Sequence, residues 1–264
     1  MKLFCSLLFF TCIPFISGSQ VLLQLHDDAR QVQLATLYKK HRIKTVSYTY
    51  EMPSLFNMTF SSEAGNTTGE LTMDTITHVE QYLENGLIAN KRETLPNGDI
   101  RYSKVYTFDD EMKLIRTTEI NYQPVRFYDY QQMTYHYSDR ILTSIDKMRF
   151  EAQDTTRSTT VFTYEAGVPV KVIETDNRSG DTLLSAFFTR YPKKKYIEEQ
   201  YFVKDFSEMR TVYYYDLDRK GRIVKVSHGL EGYRKDLEAD REIFYNLSKE
   251  LPKDDGGVVK IERY

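Results

Sequence analysis

The sequence predicts a mainly β protein, in which repeated β-hairpins form an antiparallel meander in a single open or curled sheet, with one short N-terminal helix. Three observations predict this fold class: a tyrosine-rich composition, an internal repeat of about 27 residues, and turn-forming residues spaced between alternating segments. The chain has 21 tyrosines and no tryptophan. Tyrosine suits a half-buried pleated surface, because its ring packs while its hydroxyl stays hydrated.

The first 19 residues have the pattern of a secretory signal peptide. Lys2 precedes an apolar run that ends near Ile16, and small residues follow through Ser19, where we expect cleavage. Both cysteines lie in this segment, so the exported chain would contain no disulfide. No later apolar run approaches the length needed to span a bilayer. We therefore expect a secreted or periplasmic protein without a transmembrane segment after signal cleavage.

The N-terminal region after the signal predicts a helix followed by a strand. Residues 20–42 form a helical segment, with an acidic start at Asp27 and a basic end at Lys39 and Lys40. Alternation from residue 42 to residue 50 indicates a strand, and residues 61–69 are loop-like by composition. We assign residues 43–264 to one β-hairpin repeat domain, with regular units over about 77–228.

Six repeat units share an aromatic residue at the end of one strand, a polar turn and an aliphatic residue at the start of the next strand. The aromatic positions are Tyr82, Phe108, Tyr137, Tyr164, Tyr191 and Tyr215. The aliphatic positions are Ile88, Ile115, Ile141, Val170, Ile197 and Ile223. Asn85-Gly86 between the first two positions is typical of a tight hairpin, since both residue types tolerate positive φ.

Four units carry a second aromatic residue two positions before the first, and this spacing puts both rings on one face of a strand. The predicted aromatic face consists of Tyr106, Phe108, Tyr135, Tyr137, Phe162, Tyr164, Tyr213 and Tyr215. Such a face could bind a peptide, a glycan or a lipid tail, or its rings could stack on one another as the core of a thin sheet. The absence of tryptophan disfavours the glycan.

The segment 213–226 resembles a YD repeat of the RHS type. The matching residues are Tyr215, Asp216, Gly221, Arg222, Ile223 and Val226. The turn between Asp216 and Gly221 is two residues longer than in the family's repeat. The motif is degenerate in the other units. The resemblance covers roughly residues 77–228 and implies a relationship to small exported Bacteroidetes-type proteins, most of which have no assigned activity. Large members of this family wrap into shells around toxins, and the units here are too few for that.

The sequence predicts no catalytic residue, cofactor or metal site. The five histidines occur singly, and no motif for a nucleophile, a phosphate loop or a zinc helix is present. Paired carboxylates are the only enzyme-like feature, namely Asp216 with Asp218 and the run 109–111. Both fall at turns, where aspartate usually accepts backbone hydrogen bonds, with calcium binding or catalysis as alternatives. Lys193-Lys194-Lys195 is another turn, either solvated or in contact with a polyanion.

Residues 229–264 are predicted to form a C-terminal cap, in which 244–245 and 258–261 make a final hairpin over the last sheet edge. The first functional hypothesis is an exported, non-catalytic β-repeat scaffold that binds a protein or a cell-envelope component. A net charge of −2 gives no reason to expect nucleic acid. The alternatives are a carrier of an apolar ligand in a curled sheet and an envelope hydrolase that uses turn carboxylates. The sequence does not define the oligomeric state.

Overall fold

A computed structural model of the chain describes residues 34–63, 66–122, 128–139, 141–151, 154–204, 211–220, 222–230, 241–242 and 259–264. Within these residues it contains one helix, α1 (34–40), and fifteen strands. The strands are β1 (Ile43–Glu63), β2 (Asn66–Tyr82), β3 (Ile88–Thr94), β4 (Ile100–Phe108), β5 (Leu114–Tyr122), β6 (Tyr128–Ser138), β7 (Ile141–Glu151), β8 (Asp154–Glu165), β9 (Val168–Asp176), β10 (Thr182–Tyr191), β11 (Tyr196–Val203), β12 (Thr211–Leu217), β13 (Ile223–Leu230), β14 (Arg241–Glu242) and β15 (Val259–Arg263).

The strands form one open antiparallel sheet in chain order. The order runs from β14 down to β1, with β15 hydrogen-bonded to β1 as the strand at the other edge. This confirms the predicted fold class: a mainly β antiparallel meander with one short helix. None of the described helical residues forms a segment long and apolar enough to cross a membrane.

The predicted hairpin repeat is visible in the strand bounds. Tyr82 and Phe108 are the last residues of β2 and β4, and Ile88 and Ile223 are the first residues of β3 and β13. The described residues of the repeat turns β2–β3, β4–β5, β6–β7, β8–β9 and β10–β11 include at least one with positive φ in each turn, namely Gly86, Met112, Asp139, Ala166 with Gly167, and Lys195. Positive φ is the backbone conformation that tight turns between twisted strands require.

In two units the predicted aliphatic residue lies on the second strand, but the residue opposite the aromatic one is its neighbour. Ile141 is 42% exposed, whereas Leu142 is 9% exposed and lies opposite Tyr137. Leu114, not Ile115, likewise lies opposite Phe108 and is 8% exposed. The pairing register shifts beside both aromatic residues, and one added residue moves the neighbouring side chain to the other face.

The loop predicted over residues 61–69 is wrong. β1 continues to Glu63 and β2 begins at Asn66, and these two residues lie opposite each other in the pairing of β1 with β2. Polar composition suggested a loop, but the backbone hydrogen bonds of a long hairpin do not depend on apolar side chains. α1 ends at residue 40, as its basic end predicts. The signal peptide and the helix start fall in 1–33, outside the described residues.

The predicted C-terminal hairpin over the last edge is wrong in its partner. β15 pairs with β1, with Ile261 opposite Val46. The Tyr264 N–H donates to the Arg42 carbonyl at 2.9 Å, and the Tyr264 hydroxyl donates to the Tyr82 carbonyl. The final strand therefore covers the edge formed by the first strand. The other predicted hairpin strand, 244–245, lies outside the described residues.

The chain divides into two compact units. Among the described residues, unit I comprises 34–159 with 259–264, and unit II comprises 160–230 with 241–242. The core cluster of unit I contains Tyr38, Ile43, Val46, Tyr82 and Ile88. That of unit II contains Tyr196, Val212 and Tyr214. The assignment of 43–264 to one repeat domain stays a prediction.

Candidate binding face

The strands of unit I have two faces, because successive side chains point to opposite sides. His78, Glu80 and Tyr82 of β2 share one face, which we call the inner face. His78 lies opposite Tyr48 of β1 and opposite Glu93 of β3, so these side chains share that face too. The opposite side, which carries Thr77, Val79 and Gln81, is the outer face.

The inner face carries two stripes that cross the strands. An apolar stripe lies at the strand ends beside the repeat turns and consists of Tyr82, Ile88, Phe108, Leu114 and Leu142. A charged stripe lies farther from those turns and consists of His78, Glu80, Lys91, Glu93, Arg101, Lys104, Glu119, Asp129 and Arg149. The apolar stripe therefore consists of aromatic and aliphatic residues next to the repeat turns. The charged stripe consists of residues farther along the same strands.

His78 is enclosed by two carboxylates and a tyrosine ring. Its imidazole stacks on Tyr48 with ring centroids 4.6 Å apart, and its Nδ1 lies 3.3 Å from Glu93 Oε1. Its Nε2 is 3.5 Å from Glu80 Oε1, close enough for charge attraction but without hydrogen-bond geometry. Burial alone would lower the pKa of His78, but Glu80 and Glu93 outweigh it and raise the pKa to about 8. The imidazole is therefore cationic at neutral pH.

The two carboxylates are held ionised by their partners. Burial would raise the pKa of Glu80, but His78 and Lys91 lower it to about 2. Lys91 Nζ lies 2.8 Å from Glu80 Oε1, and the Tyr82 hydroxyl donates to Oε2 at 2.5 Å. The hydrogen bond with His78 is the main cause that lowers the pKa of Glu93. Arg101 Nη1 donates to Glu93 Oε2 at 2.9 Å and acts in the same direction.

Tyrosine hydroxyls around the stripe remain protonated donors. Burial, together with the Glu93 charge, raises the pKa of Tyr50 to about 12. Burial and the charges of Glu119 and Glu93 raise the pKa of Tyr102 as well. These groups can donate hydrogen bonds but do not act as proton acceptors near neutral pH.

The stripe continues across β4 to β7 as paired charges. Lys104 Nζ lies 3.1 Å from Glu119 Oε2, and these side chains are 18% and 24% exposed. Arg149 donates from Nε and Nη2 to the two oxygens of Asp129, each at 2.9 Å. Because this bidentate pair has two parallel hydrogen bonds, it fixes the orientation of both side chains in addition to pairing their charges. The stripe thus offers ordered, half-buried donors and acceptors for a polar partner.

Part of the predicted aromatic face is buried. Tyr135, Phe162, Tyr213 and Tyr215 are at most 7% exposed. The remaining rings, Tyr106, Phe108, Tyr137 and Tyr164, are partly buried. Their role in binding a ligand stays a prediction. Several of them contact core residues, a lysine or a backbone carbonyl.

The partly buried rings contact both core and charge. Tyr106 and Phe108 pack against the core cluster of unit I. Lys104 Nζ lies 5.7 Å from the centre of the Tyr106 ring, and the Tyr137 hydroxyl donates to the Leu114 carbonyl at 3.0 Å. Burial raises the pKa of Tyr164.

The repeat-motif residues lie in the interior and in a turn of unit II. Tyr215 lies opposite Val226 across β12 and β13, and both are 0% exposed. Ile223 is 7% exposed, and the Tyr215 hydroxyl donates to Glu199. Asp216 is half-buried, and Gly221 is outside the described residues. Three of the motif positions, Tyr215, Ile223 and Val226, are therefore buried in unit II.

The acidic turns use their carboxylates to close hairpins. Asp109 Oδ1 accepts the backbone N–H of Glu111 at 3.0 Å and that of Lys113 at 2.8 Å. Asp218 Oδ1 accepts the N–H of Lys220 at 2.8 Å and that of Arg222 at 3.0 Å. The hydrogen bond from the Arg222 backbone is the main cause that lowers the pKa of Asp218. An acid with a lowered pKa is poorly suited to donate a proton in hydrolysis.

The part of the chain that the structure describes contains no candidate metal site. No group of three or more His, Cys, Asp or Glu side chains there has an arrangement that could hold a metal ion. The sequence does not predict the charged stripe, because which charges lie opposite one another depends on the register between strands. The alternation His78-x-Glu80-x-Tyr82, followed by Tyr102-x-Lys104-x-Tyr106, was the available signal for a polar face.

Comparisons with known proteins show no family. No family model matches the chain, and no curated protein matches it. A porin-like protein from Bacteroides uniformis is 14% identical, with 67% of this chain and 60% of that chain covered and a TM-score of 0.34. A Photorhabdus luminescens Tc holotoxin pore is 8% identical, with 69% and 10% covered and a TM-score of 0.20. The chain spans less than two thirds of either protein, and likenesses this low carry no argument about function.

Proposed function

We propose that the chain is an exported, non-catalytic β-repeat protein of the cell envelope that binds a partner through the charged stripe on the inner face of unit I. The partner is another protein or an envelope component that presents polar groups of both signs. The observation that carries this proposal is the row of ordered, half-buried ion pairs from His78 to Arg149.

Stability alone does not account for such a row. Removing charges from water costs free energy that their mutual attraction only partly offsets, and apolar side chains of similar size often stabilise a fold as well or better. Exposed ion pairs contribute at most about 1 kcal/mol each. Paired charges on one face do provide directional recognition, because the partner must match their positions and signs.

The alternative of an apolar-ligand carrier is less well supported by the same face. The members of the apolar stripe are already covered, with Ile88 at 1% and Leu114 at 8% exposed. An apolar ligand on the inner face would therefore lie against the charged stripe and remove hydration from its charges without replacing it. A polar partner avoids this cost.

The hydrolase alternative would act through Asp216 or the turn 109–111. Of the paired carboxylates, Asp109 and Asp218 are engaged in closing turns, which disfavours this alternative. Asp109 and Asp218 each hold two backbone N–H groups, and Asp218 also pairs with Arg222 at 2.6 Å. We further infer that the hairpin unit is a degenerate relative of the YD repeat. The buried pair of Tyr215 and Val226 supports this, since both are motif positions and they face each other.

Site-specific photo-crosslinking tests the proposal on a single strand. A benzophenone amino acid replaces Tyr102 on the inner face in one variant and Val105 on the outer face in another. Both positions are in β4, and Val105 is 46% exposed, so the outer probe is at least as accessible. Each purified variant is mixed with envelope extract of the native cell and irradiated.

We expect the Tyr102 probe to form one discrete adduct with an envelope component, while the Val105 probe forms none. Replacement of Glu119 by glutamine in the Tyr102-probe variant should weaken the adduct, since it removes one charge of the stripe. Adducts only from Val105, or equal adducts from both probes, would contradict the proposal. Hydrolytic turnover by the purified protein that Asp216→Asn abolishes would replace it with the hydrolase.

A further inference from the structure

Two neighbouring turns of unit II lie side by side at one end of its strands. One turn, 192–195, connects β10 to β11, and the other, 218–222, connects β12 to β13. The Leu217 N–H donates to the Lys195 carbonyl at 2.8 Å, so the second turn starts directly beside the first. The side chains of both turns therefore belong to one surface, which we call the basic turn surface.

Besides Arg222, which pairs with Asp218, five exposed cations occupy the basic turn surface: Lys193, Lys194, Lys195, Arg219 and Lys220. Within the described part of the chain, no carboxylate pairs with any of these five. The acid at the surface, Asp218, is already engaged by the Arg222 guanidinium at 2.6 Å and by two backbone N–H groups. Positive charge is thus concentrated here, although the whole chain has a net charge of −2.

An aromatic residue borders the cations. Lys194 Nζ lies 5.6 Å from the centre of the Tyr191 ring, and Tyr191 stacks on Tyr196 with centroids 4.5 Å apart. Tyrosine is enriched where one end of a side chain is apolar and the other is wet, as at the headgroup level of a bilayer. A partly buried tyrosine beside lysines is suited to that boundary.

The concentration of cations is not general to the repeat turns. In unit I the corresponding turns carry acids, namely Glu84, Asp109, Asp110, Glu111 and Asp139. Unit I contains exposed lysines, such as Lys39 and Lys40, in addition to these acidic turns. In one of the turns, Lys113 pairs with Glu111 at 2.8 Å. The concentration of positive charge therefore distinguishes the basic turn surface of unit II from the repeat turns of unit I.

We propose that the basic turn surface docks unit II onto an anionic lipid bilayer. Clusters of four to eight Lys and Arg residues, of which this has five, bind anionic headgroups through diffuse charge attraction. Because none of these five cations has a carboxylate partner among the described residues, their side chains suit a fluid layer of headgroups better than the fixed groups of a folded protein. The proposal involves only unit II and does not depend on the inner face of unit I.

Vesicle flotation with the chain from residue 20 onward tests the docking surface. The probes are vesicles of equal parts phosphatidylglycerol and phosphatidylethanolamine, and vesicles of phosphatidylcholine alone. The test variant combines Lys193→Gln, Lys194→Gln and Lys220→Gln. The control combines Lys39→Gln, Lys40→Gln and Lys260→Gln in unit I, which are also exposed and remove the same charge. Circular dichroism verifies that both variants fold.

We expect the unmodified protein to float with the phosphatidylglycerol vesicles but not with phosphatidylcholine, and to be released by raised salt. One lysine near an anionic surface contributes about fivefold in affinity, so the test variant should bind roughly a hundredfold more weakly. The control variant should bind like the unmodified protein. Absence of flotation, equal losses in both variants, or binding to soluble dextran sulfate but not to vesicles would overturn the proposal.

Discussion

His78 carries a positive charge at neutral pH because of what surrounds it in the fold. Glu80 and Glu93 face it from β2 and β3, and the Tyr48 ring covers it from β1. The alternation of β2 predicts which side of the strand His78 occupies. The same alternation puts Glu80 on that side, but it does not predict that Glu93 approaches His78 within 3.3 Å, because that depends on the register of a neighbouring strand.

The first prediction concerns the pH dependence of stability. His78 has a folded-state pKa of about 8, above its ordinary value of 6.5, so the folded protein binds this proton more tightly. The shift corresponds to about 2 kcal/mol. This contribution is fully present below pH 6.5 and is lost as pH rises through 8. Urea unfolding across this window should show the loss, and an NMR titration should assign it to His78.

His78→Gln is the variant that isolates this effect. It should be less stable than the unmodified protein below pH 6.5 and should show a smaller change of stability between pH 6.5 and 8. An unmodified protein whose unfolding free energy is constant across the window would contradict the assigned charge. So would a variant that retains the full pH dependence.

The second prediction separates the two aspartates of the β4–β5 turn. Asp109→Ala removes the acceptor of two backbone N–H groups and should cost about 1–2 kcal/mol of unfolding free energy. Asp110→Ala removes an exposed side chain of the same turn and should change stability by less than about 0.5 kcal/mol. Chemical denaturation measures both. Equal losses would mean that Asp109 does not close the hairpin.

At the scale of elements, the hairpins were predictable and their irregularities were not. The recurrence of an aromatic residue, a polar turn and an aliphatic residue located the ends of β2, β4 and β10 in the sequence. The register shifts beside Phe108 and Tyr137 moved the packing role to Leu114 and Leu142, because a bulge depends on backbone geometry across two strands. Composition likewise cannot reveal that a polar stretch pairs as a long hairpin.

The third prediction concerns the contact between the β2–β3 turn and α1. Gly86 has φ of +86°, and a Cβ there would lie 1.9 Å from the Ala35 carbonyl oxygen. Gly98 has φ of +89° in the next turn, with nothing within 4 Å. Both Gly→Ala variants incur the backbone cost of about 1 kcal/mol, but only Gly86→Ala also displaces the helix.

We expect the thermal unfolding midpoint of Gly98→Ala to fall slightly. Gly86→Ala should lose at least about 3 kcal/mol, since it combines backbone strain with a steric clash. Near-identical midpoints for the two variants would show that α1 does not rest against this turn.

The fourth prediction concerns β15 as the cover of the β1 edge. Val259 and Ile261 pack against the core cluster of unit I, and Tyr264 bonds to Tyr82 and Arg42. Deletion of 259–264 should destabilise unit I by about 3 kcal/mol and expose a strand edge that pairs between chains. Light scattering should then show association that increases with concentration. Lys260→Ser with Glu262→Ser, which keeps the strand, should leave the protein stable and unassociated.

At the scale of the whole molecule, the fold class and the candidate site differ in how far the sequence predicts them. The β-hairpin meander follows from composition and period, which are properties of single segments. The charged stripe depends on pairing across seven strands, from Tyr48 in β1 to Arg149 in β7. The sequence placed Tyr213 and Tyr215 on a binding face, whereas the structure buries both. The division into two units has no linker that would mark it.

Hydroxyl-radical footprinting with mass spectrometry most directly tests the claim that the inner face of unit I binds an envelope partner. The protein is oxidised alone and in the presence of envelope extract. We predict that Tyr102 and Tyr106 on the inner face become protected, whereas Met148 and Phe150 on the outer face of the same unit are oxidised equally in both samples. Protection of Phe150 with unchanged oxidation of Tyr102 would contradict the account.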